Sequence, residues 1–323
     1  MRLKFVFTFV VAAAAVGVAF SSDDTFQGAS VKKPFDRALH GHAAKTNSSQ
    51  ILYHNGPVMQ LPSVYVIYYG TFPATTQPIV NNFLTDLNNF SNVDPYSVNM
   101  TYFDTVNGPV LGSYAFVSPT DPPRANKWDS GGSVYWDNYS QGTQLGNSSI
   151  PKIIADALTV KSPDLNGIYI VITAPDVKIA GFCNSFCAYH TSATVSGAHV
   201  RYALVPDPTQ KCSSCNGGIA VYGDTSTPNL DMGADTITDD IMHELSETVT
   251  DPDINAWYTQ NGEEDADLCN YVYATAANPI QLVSKTVNNV KYTYHKNFTL
   301  NGHDYLIQFI WENTGPGFCA AHK

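Results

Sequence analysis

The segment Asp239-Asp240-Ile241-Met242-His243-Glu244-Leu245-Ser246-Glu247-Thr248-Val249-Thr250-Asp251-Pro252 constrains this chain more than any other. Ile237, Ile241, Leu245 and Val249 recur at every fourth position, which predicts a helix with one apolar stripe to bury. His243 and Glu247 share a neighbouring line, so a helix brings both side chains to one face, where they can converge on one ion. Glu244 stands beside them, in the place of a general base acting on water at a metal. The His-Glu-x-x-Glu pattern is that of a zinc-hydrolase helix with its second histidine replaced by glutamate. Thr238 is the expected N-cap, Asp239 and Asp240 suit the positive N-terminus, and Pro252 follows the expected end.

A mononuclear catalytic zinc takes three protein ligands and keeps one position open. His243 and Glu247 supply two. The third can come from Asp251, from Asp253, or from the acidic run Glu263-Glu264-Asp265-Ala266-Asp267, in which Glu264 is preferred and Asp267 is read as orienting the His243 ring. Two carboxylates with one imidazole make a more anionic set than two imidazoles with one carboxylate. Zinc is the expected cofactor, with calcium or manganese as alternatives. His190 follows a short cysteine-bounded segment, Cys183 to Cys187, and is a candidate ligand or hydrogen-bond donor to a developing charge. No Gly-x-Ser-x-Gly elbow is present, which removes the commonest serine-hydrolase pattern.

The chain opens with Arg2 and Lys4, an apolar run from Phe5 to Phe20, and small residues at Ala19 and Ser21. That is the pattern of a secretory signal over residues 1–21, shorter than the ~20 apolar residues of a membrane span. Residues 22–50 are polar and without period, and read as a flexible leader; His40, His42 and His54 read as ordinary solvated histidines. Residues 51–323 read as one domain. Six cysteines, all in the second half, favour three disulfides outside the cell. Local pairs Cys183–Cys187 and Cys212–Cys215, with Cys269–Cys319 tying back the C-terminus, are expected, although sequence alone admits other pairings. Acceptor triplets for N-glycosylation begin at Asn47, Asn89, Asn99, Asn138, Asn147 and Asn297. A net charge of -11 argues against a nucleic-acid partner.

Residues 64–69, 168–173 and 200–205 are β-branched and aromatic runs, expected as buried strands. Residues 76–90 and 149–158 have helical period. Together these predict an α+β fold. Its mixed β-sheet is backed by helices, including the zincin-like active-site helix, and its C-terminal half is stapled by disulfides.

Several pieces together resemble the EXORDIUM-like, phosphate-induced protein family. They are Tyr53-His54-Asn55-Gly56-Pro57-Val58 before the strand 64–69, Gly181-Phe182-Cys183 through Cys187 to His190, and Cys212-Ser213-Ser214-Cys215. The helix His243–Glu247, Asn255-Ala256-Trp257-Tyr258, Asp267-Leu268-Cys269 and Cys319 complete the set. The resemblance spans about residues 50–320. It implies a protein secreted to the apoplast or cell wall and linked to growth and wall processes. With His243, Glu244 and Glu247 retained, the chain is similar to members that are closer to zinc peptidases. Two functions are therefore expected: a metal-dependent hydrolase acting on peptide, protein or wall material, or a non-catalytic extracellular binding or signalling protein on the same fold.

Overall fold

The computed structural model describes residues 30–32, 50–89, 94–210 and 212–323. The expected signal (1–21), most of the leader, His40, His42 and the acceptor Asn47 lie outside them, as does the side chain of Asn89.

Seven strands form one sheet. In chain order they are β1 (Ser30–Lys32), β2 (Ser63–Tyr69), β3 (Lys127–Trp128), β4 (Val134–Asp137), β5 (Gly167–Thr173), β6 (Ala188–Val195) and β7 (Ala198–Pro206). Their order across the sheet is β1-β6-β7-β5-β2-β4-β3. The four central strands, β7, β5, β2 and β4, run parallel, and the pairs β1/β6, β6/β7 and β3/β4 are antiparallel. The mixed sheet is as expected, but its middle is that of an α/β protein: β2 and β5 are buried on both faces, which is why they read as unbroken apolar runs.

Alternation divides each strand between two cores. Val64, Val66 and Tyr68 of β2 and Ile168, Ile170 and Ile172 of β5 face helices α1 (Thr76–Asn89) and α4 (Met232–Thr250). Ile67, Tyr69, Tyr169 and Val171 face α2 (Ser149–Ala157). Helix α1 buries Val80, Phe83, Leu84 and Leu87, and α2 buries Ile150, Ile153, Ile154 and Ala157, each set spaced i, i+3, i+4, i+7. A short helix, α3 (Gly217–Tyr222), precedes α4 and packs on it.

Helix α4 starts earlier than the motif suggested. Asp231 is the N-cap, its carboxylate accepting from the Ala234 N–H at 3.1 Å, and Thr238 lies inside the helix with its hydroxyl on the Asp235 carbonyl. The expected stripe Ile237, Ile241, Leu245 and Val249 enters the core, yet the opposite side does not reach solvent: every residue from Gly233 to Thr250 is buried. One side lies on β6, β7 and α1. The C-terminal segment supplies further cover, with Leu268, Ile307, Phe309 and Ile310 in the same core.

Two of the expected disulfides are not local. Cys183 joins Cys212, Cys187 joins Cys215, and Cys269 joins Cys319 as expected. The Gly181–Cys187 turn, closed by the Cys183 N–H on the Phe186 carbonyl, lies against the Cys212–Cys215 turn, so each cysteine meets one from the opposite turn. These links span 29 and 28 residues, and loops of that size remove about 3–4 kcal/mol of chain entropy from the unfolded state. Residues 30–32, inside the segment read as a flexible leader, pair with β6 as an edge strand.

Gly56 shows how the N-terminal motif docks. A Cβ there would stand 2.5 Å from the Asn255 carbonyl oxygen, so glycine lets the Tyr53–Gly56 turn lie flat against Asn255–Tyr258. Tyr53 pairs with Trp257 across a short ladder, and the His54 ring stacks on Tyr258 at 3.6 Å.

Leu245→Ala should lower stability by about 2–5 kcal/mol in denaturant titration with the disulfides intact. A loss below about 1 kcal/mol would contradict the packing of this stripe.

Candidate metal centre

Three separate stretches of chain meet at the polar side of α4. The helix spacing brings His243 and Glu247 together: His243 Nε2 lies 3.1 Å from Glu247 Oε1. Strand β6 supplies His190, whose ring falls on the α4 face because Ala188 is on that face and Tyr189 on the other. The segment after the Trp257–Tyr258 strand supplies Glu264 and Asp267. It is held by a helical turn from Leu268 N–H to the Glu264 carbonyl and by Cys269, tied to Cys319.

Glu247 is common to two groups of ligand atoms, each within 4.8 Å of one another. One is His243, Glu247 and Asp267; the other is His190, Glu247 and Glu264. Asp267 Oδ1 is 3.8 Å from His243 Nε2, and the Asp267 N–H donates to Glu247 Oε1 at 3.2 Å. His190 Nε2 is 3.2 Å from Glu264 Oε2 and 3.8 Å from Glu247 Oε2. Glu264 thus stands against His190, and Asp267 takes the place beside His243 that the sequence reading gave to Glu264.

The residue that orients the His243 ring is Gln308. Its Nε2 donates to the Ala266 carbonyl at 3.0 Å, which turns its Oε1 toward His243 Nδ1, 3.2 Å away. Nδ1 therefore carries a proton, and Nε2 is turned toward Glu247. Gln308 is fixed in turn by its own N–H on Asp239 Oδ1 at 2.8 Å, and Tyr273 OH donates to Asp239 Oδ2 at 2.7 Å. No short-range signal marks Gln308 or Tyr273, since their partners lie far away along the chain. Asp239, read only as a helix-dipole residue, is the link between them.

His190, His243, Glu244, Glu247, Glu264 and Asp265 have no solvent exposure. Both oxygens of Glu244, Nδ1 of His190 and Oε1 of Glu264 have no hydrogen-bond partner among the described residues, and His243 Nε2 is near Glu247 but off the line a hydrogen bond needs. Burial pushes Glu244 well above the usual carboxylate range; His243 opposes this, while Glu247, Asp240 and Asp267 add to it. Burial also raises Glu264, reinforced by Glu247, Asp251, Asp267 and Asp265. Burial pulls His190 down to about 4 against the attraction of Glu247. For His243 burial acts downward too, but Glu247, Glu244 and Asp267 outweigh it and raise the ring to about 10. Buried imidazole and carboxyl groups short of hydrogen-bond partners, where carboxyl groups outnumber imidazoles, suit a divalent cation that takes nitrogen and oxygen ligands and displaces their protons, such as zinc or manganese.

The remaining expected residues have other places. Asp251 closes the helix: its Oδ1 accepts from the N–H groups of Asn255 and Ala256, both at 2.6 Å, and burial raises its carboxyl to about 6. Asp253 is no ligand here, because Arg201 grips its two oxygens at 3.0 and 2.8 Å and His199 approaches at 2.7 Å. All the site's neighbouring cysteines are in disulfides, so the Cys183, Cys212 and Cys215 cluster offers no thiolates. Among the glycosylation acceptors, Asn138 is exposed and Asn147 half-buried. Asn99 is buried and donates to Ser246 Oγ, and Asn297 spends its amide on the Tyr273 and Ile307 carbonyls, so neither presents a free amide to a glycan.

The chain matches the phosphate-induced protein 1 conserved region over residues 51–320. It is 27% identical to Protein EXORDIUM-like 3 of Arabidopsis thaliana over 301 residues, 84% of each chain. It is 28% identical to Protein PHOSPHATE-INDUCED 1 of Nicotiana tabacum over 306 residues, covering 85% of this chain and 90% of the relative. Protein EXORDIUM-like 5 of Arabidopsis thaliana is 26% identical over 291 residues, 82% of this chain and 76% of the relative. No solved structure matches the chain. The match across nearly the whole described domain, spanning both the His190 strand and the α4 helix, places this chain in the phosphate-induced protein 1 family.

Proposed function

We propose that the chain is a secreted, metal-dependent hydrolase that cleaves peptide bonds. The observation that carries this reading is Glu244: a wholly buried carboxyl group, adjacent to His243 in sequence, with neither oxygen in a hydrogen bond. A purely structural carboxylate is normally paired when buried. Three disulfides with no free cysteine among the described residues support an extracellular setting.

In this reading His243, Glu247 and Asp267 hold the cation, with His190 and Glu264 on the second oxygen of Glu247. Zinc bound there would supply Lewis acidity toward a carbonyl and toward water. The chain's own part is to place and move protons. Glu244, its affinity for a proton raised by burial, takes one from water and returns it to the leaving amine. Gln308 holds the His243 ring by Nδ1, which keeps Nε2 turned toward Glu247 and Asp267, where the cation would sit. Complete burial of the donors also suits a structural ion in a non-catalytic extracellular binding protein, and the two readings part at Glu244.

Glu244→Gln should lower peptide hydrolysis by about 10²–10⁴-fold while metal content and melting temperature stay at the wild-type level. Cleavage at the wild-type rate would contradict the catalytic role and favour the structural ion. Gln308→Ala should weaken metal binding about 10–100-fold in competition with a chelator. Unchanged affinity would show that the ring needs no support from Gln308.

A further inference from the structure

We infer that the edge of β6 beside His190 is a strand-accepting surface, which holds an extended polypeptide main chain across the candidate metal centre and which the chain's own leader occupies. Calling the occupant a substrate rests on the hydrolase reading; the strand-accepting edge does not.

The register carries this. β6 is joined to β7 on one side, and on the other Ser30–Lys32 pairs with it antiparallel, Ser30 opposite His190, Val31 opposite Tyr189 and Lys32 opposite Ala188. The backbone of the same segment lies beside α4 and beside the Asp267–Cys269 turn. The backbone of residues 30–32 is therefore bounded by the three elements that carry His190, then His243, Glu244 and Glu247, then Asp267. A bound chain at that place would run past the cation ligands.

Pairing of this kind is made through main-chain N–H and C=O groups and does not depend on side-chain identity. An edge that accepts one extended segment accepts another of the same direction. β6 extends to Val195, five residues past His190, so the edge continues beyond the three described leader pairs. The leader is tethered to the domain and so holds a high effective concentration at the edge, which a free chain has to overcome. The partner class is a linear polypeptide in extended conformation, running antiparallel to β6. Glycans do not present such a strand.

The test uses the full-length secreted protein and the variant Val31→Pro/Lys32→Pro. In an antiparallel pair alternate residues point their N–H at the partner, so the double replacement removes a ladder donor whichever of the two faces β6. Hydrogen exchange of amides 187–192 should become about tenfold faster in the variant. A labelled synthetic peptide spanning residues 27–36 should bind the variant, raise its fluorescence anisotropy, restore protection at 187–192, and bind wild type about tenfold more weakly. An unchanged melting temperature confirms that the variant is folded. Equal exchange in the two proteins, or no peptide binding by a folded variant, overturns the inference. Both readouts are taken without turnover and with Glu244→Gln in the background, so they hold or fail separately from the hydrolase reading. With Glu244 present, the leader variant should also cleave added peptide faster than wild type, and slower cleavage would contradict the leader as an occupant.

Discussion

Glu247 lies buried between two imidazoles, and the rest of the site is arranged around its two oxygens. One oxygen faces His243 on the same helix and receives the Asp267 N–H; the other faces His190 on β6. Glu244, Glu264 and Asp265 bring three more carboxyl groups to zero exposure. Each buried ion without compensation costs several kcal/mol, and a domain's whole stability is only about 5–15 kcal/mol. Four such groups therefore have to be neutralised, by protons or by cations. The unpartnered oxygens of Glu244 and Nε2 of His243 favour a cation, because protonated carboxyl groups would themselves seek hydrogen-bond acceptors.

The scaffold explains why these groups hold their positions. The Cys187–Cys215 bridge anchors the chain three residues before His190, and Cys269–Cys319 anchors it two residues after Asp267. Parallel strands at the centre of the sheet fix the floor on which α4 lies, and the Tyr273–Asp239–Gln308 chain of hydrogen bonds fixes the ring of His243 from the opposite side. Rigid support of this kind is what a metal or catalytic constellation needs, since small errors of placement lose most of its effect. The Asp253 pair with Arg201 and His199 stands outside the site and ties the turn after α4 to β7.

Strong local period made much of the fold legible: the strands near 64–69, 168–173 and 200–205, the helices at 76–90 and 149–158, and the stripe of α4 all correspond to observed elements. The helical spacing also sufficed to bring His243 and Glu247 together. What required the structure was set by contacts distant in sequence. The crossed disulfides depend on two turns lying side by side. The setting of Glu264 against His190 and of Asp267 beside His243 depends on how the 264–269 turn meets β6 and α4. Burial of α4 on all sides hides its start, because Asp231 caps a helix whose first turns, with Gly233 and few large apolar residues, show no stripe. The leader pairing at Ser30–Lys32 has no signal in a segment without period.

The central claim is that a divalent cation neutralises this cluster through Glu247. Metal analysis by mass spectrometry on the purified, dialysed protein, wild type beside Glu247→Gln, tests it most directly. The account predicts about one or more stoichiometric zinc or manganese ions in wild type and their loss in the folded variant. A folded wild-type protein without stoichiometric metal, or a Glu247→Gln variant that keeps it, would contradict the account.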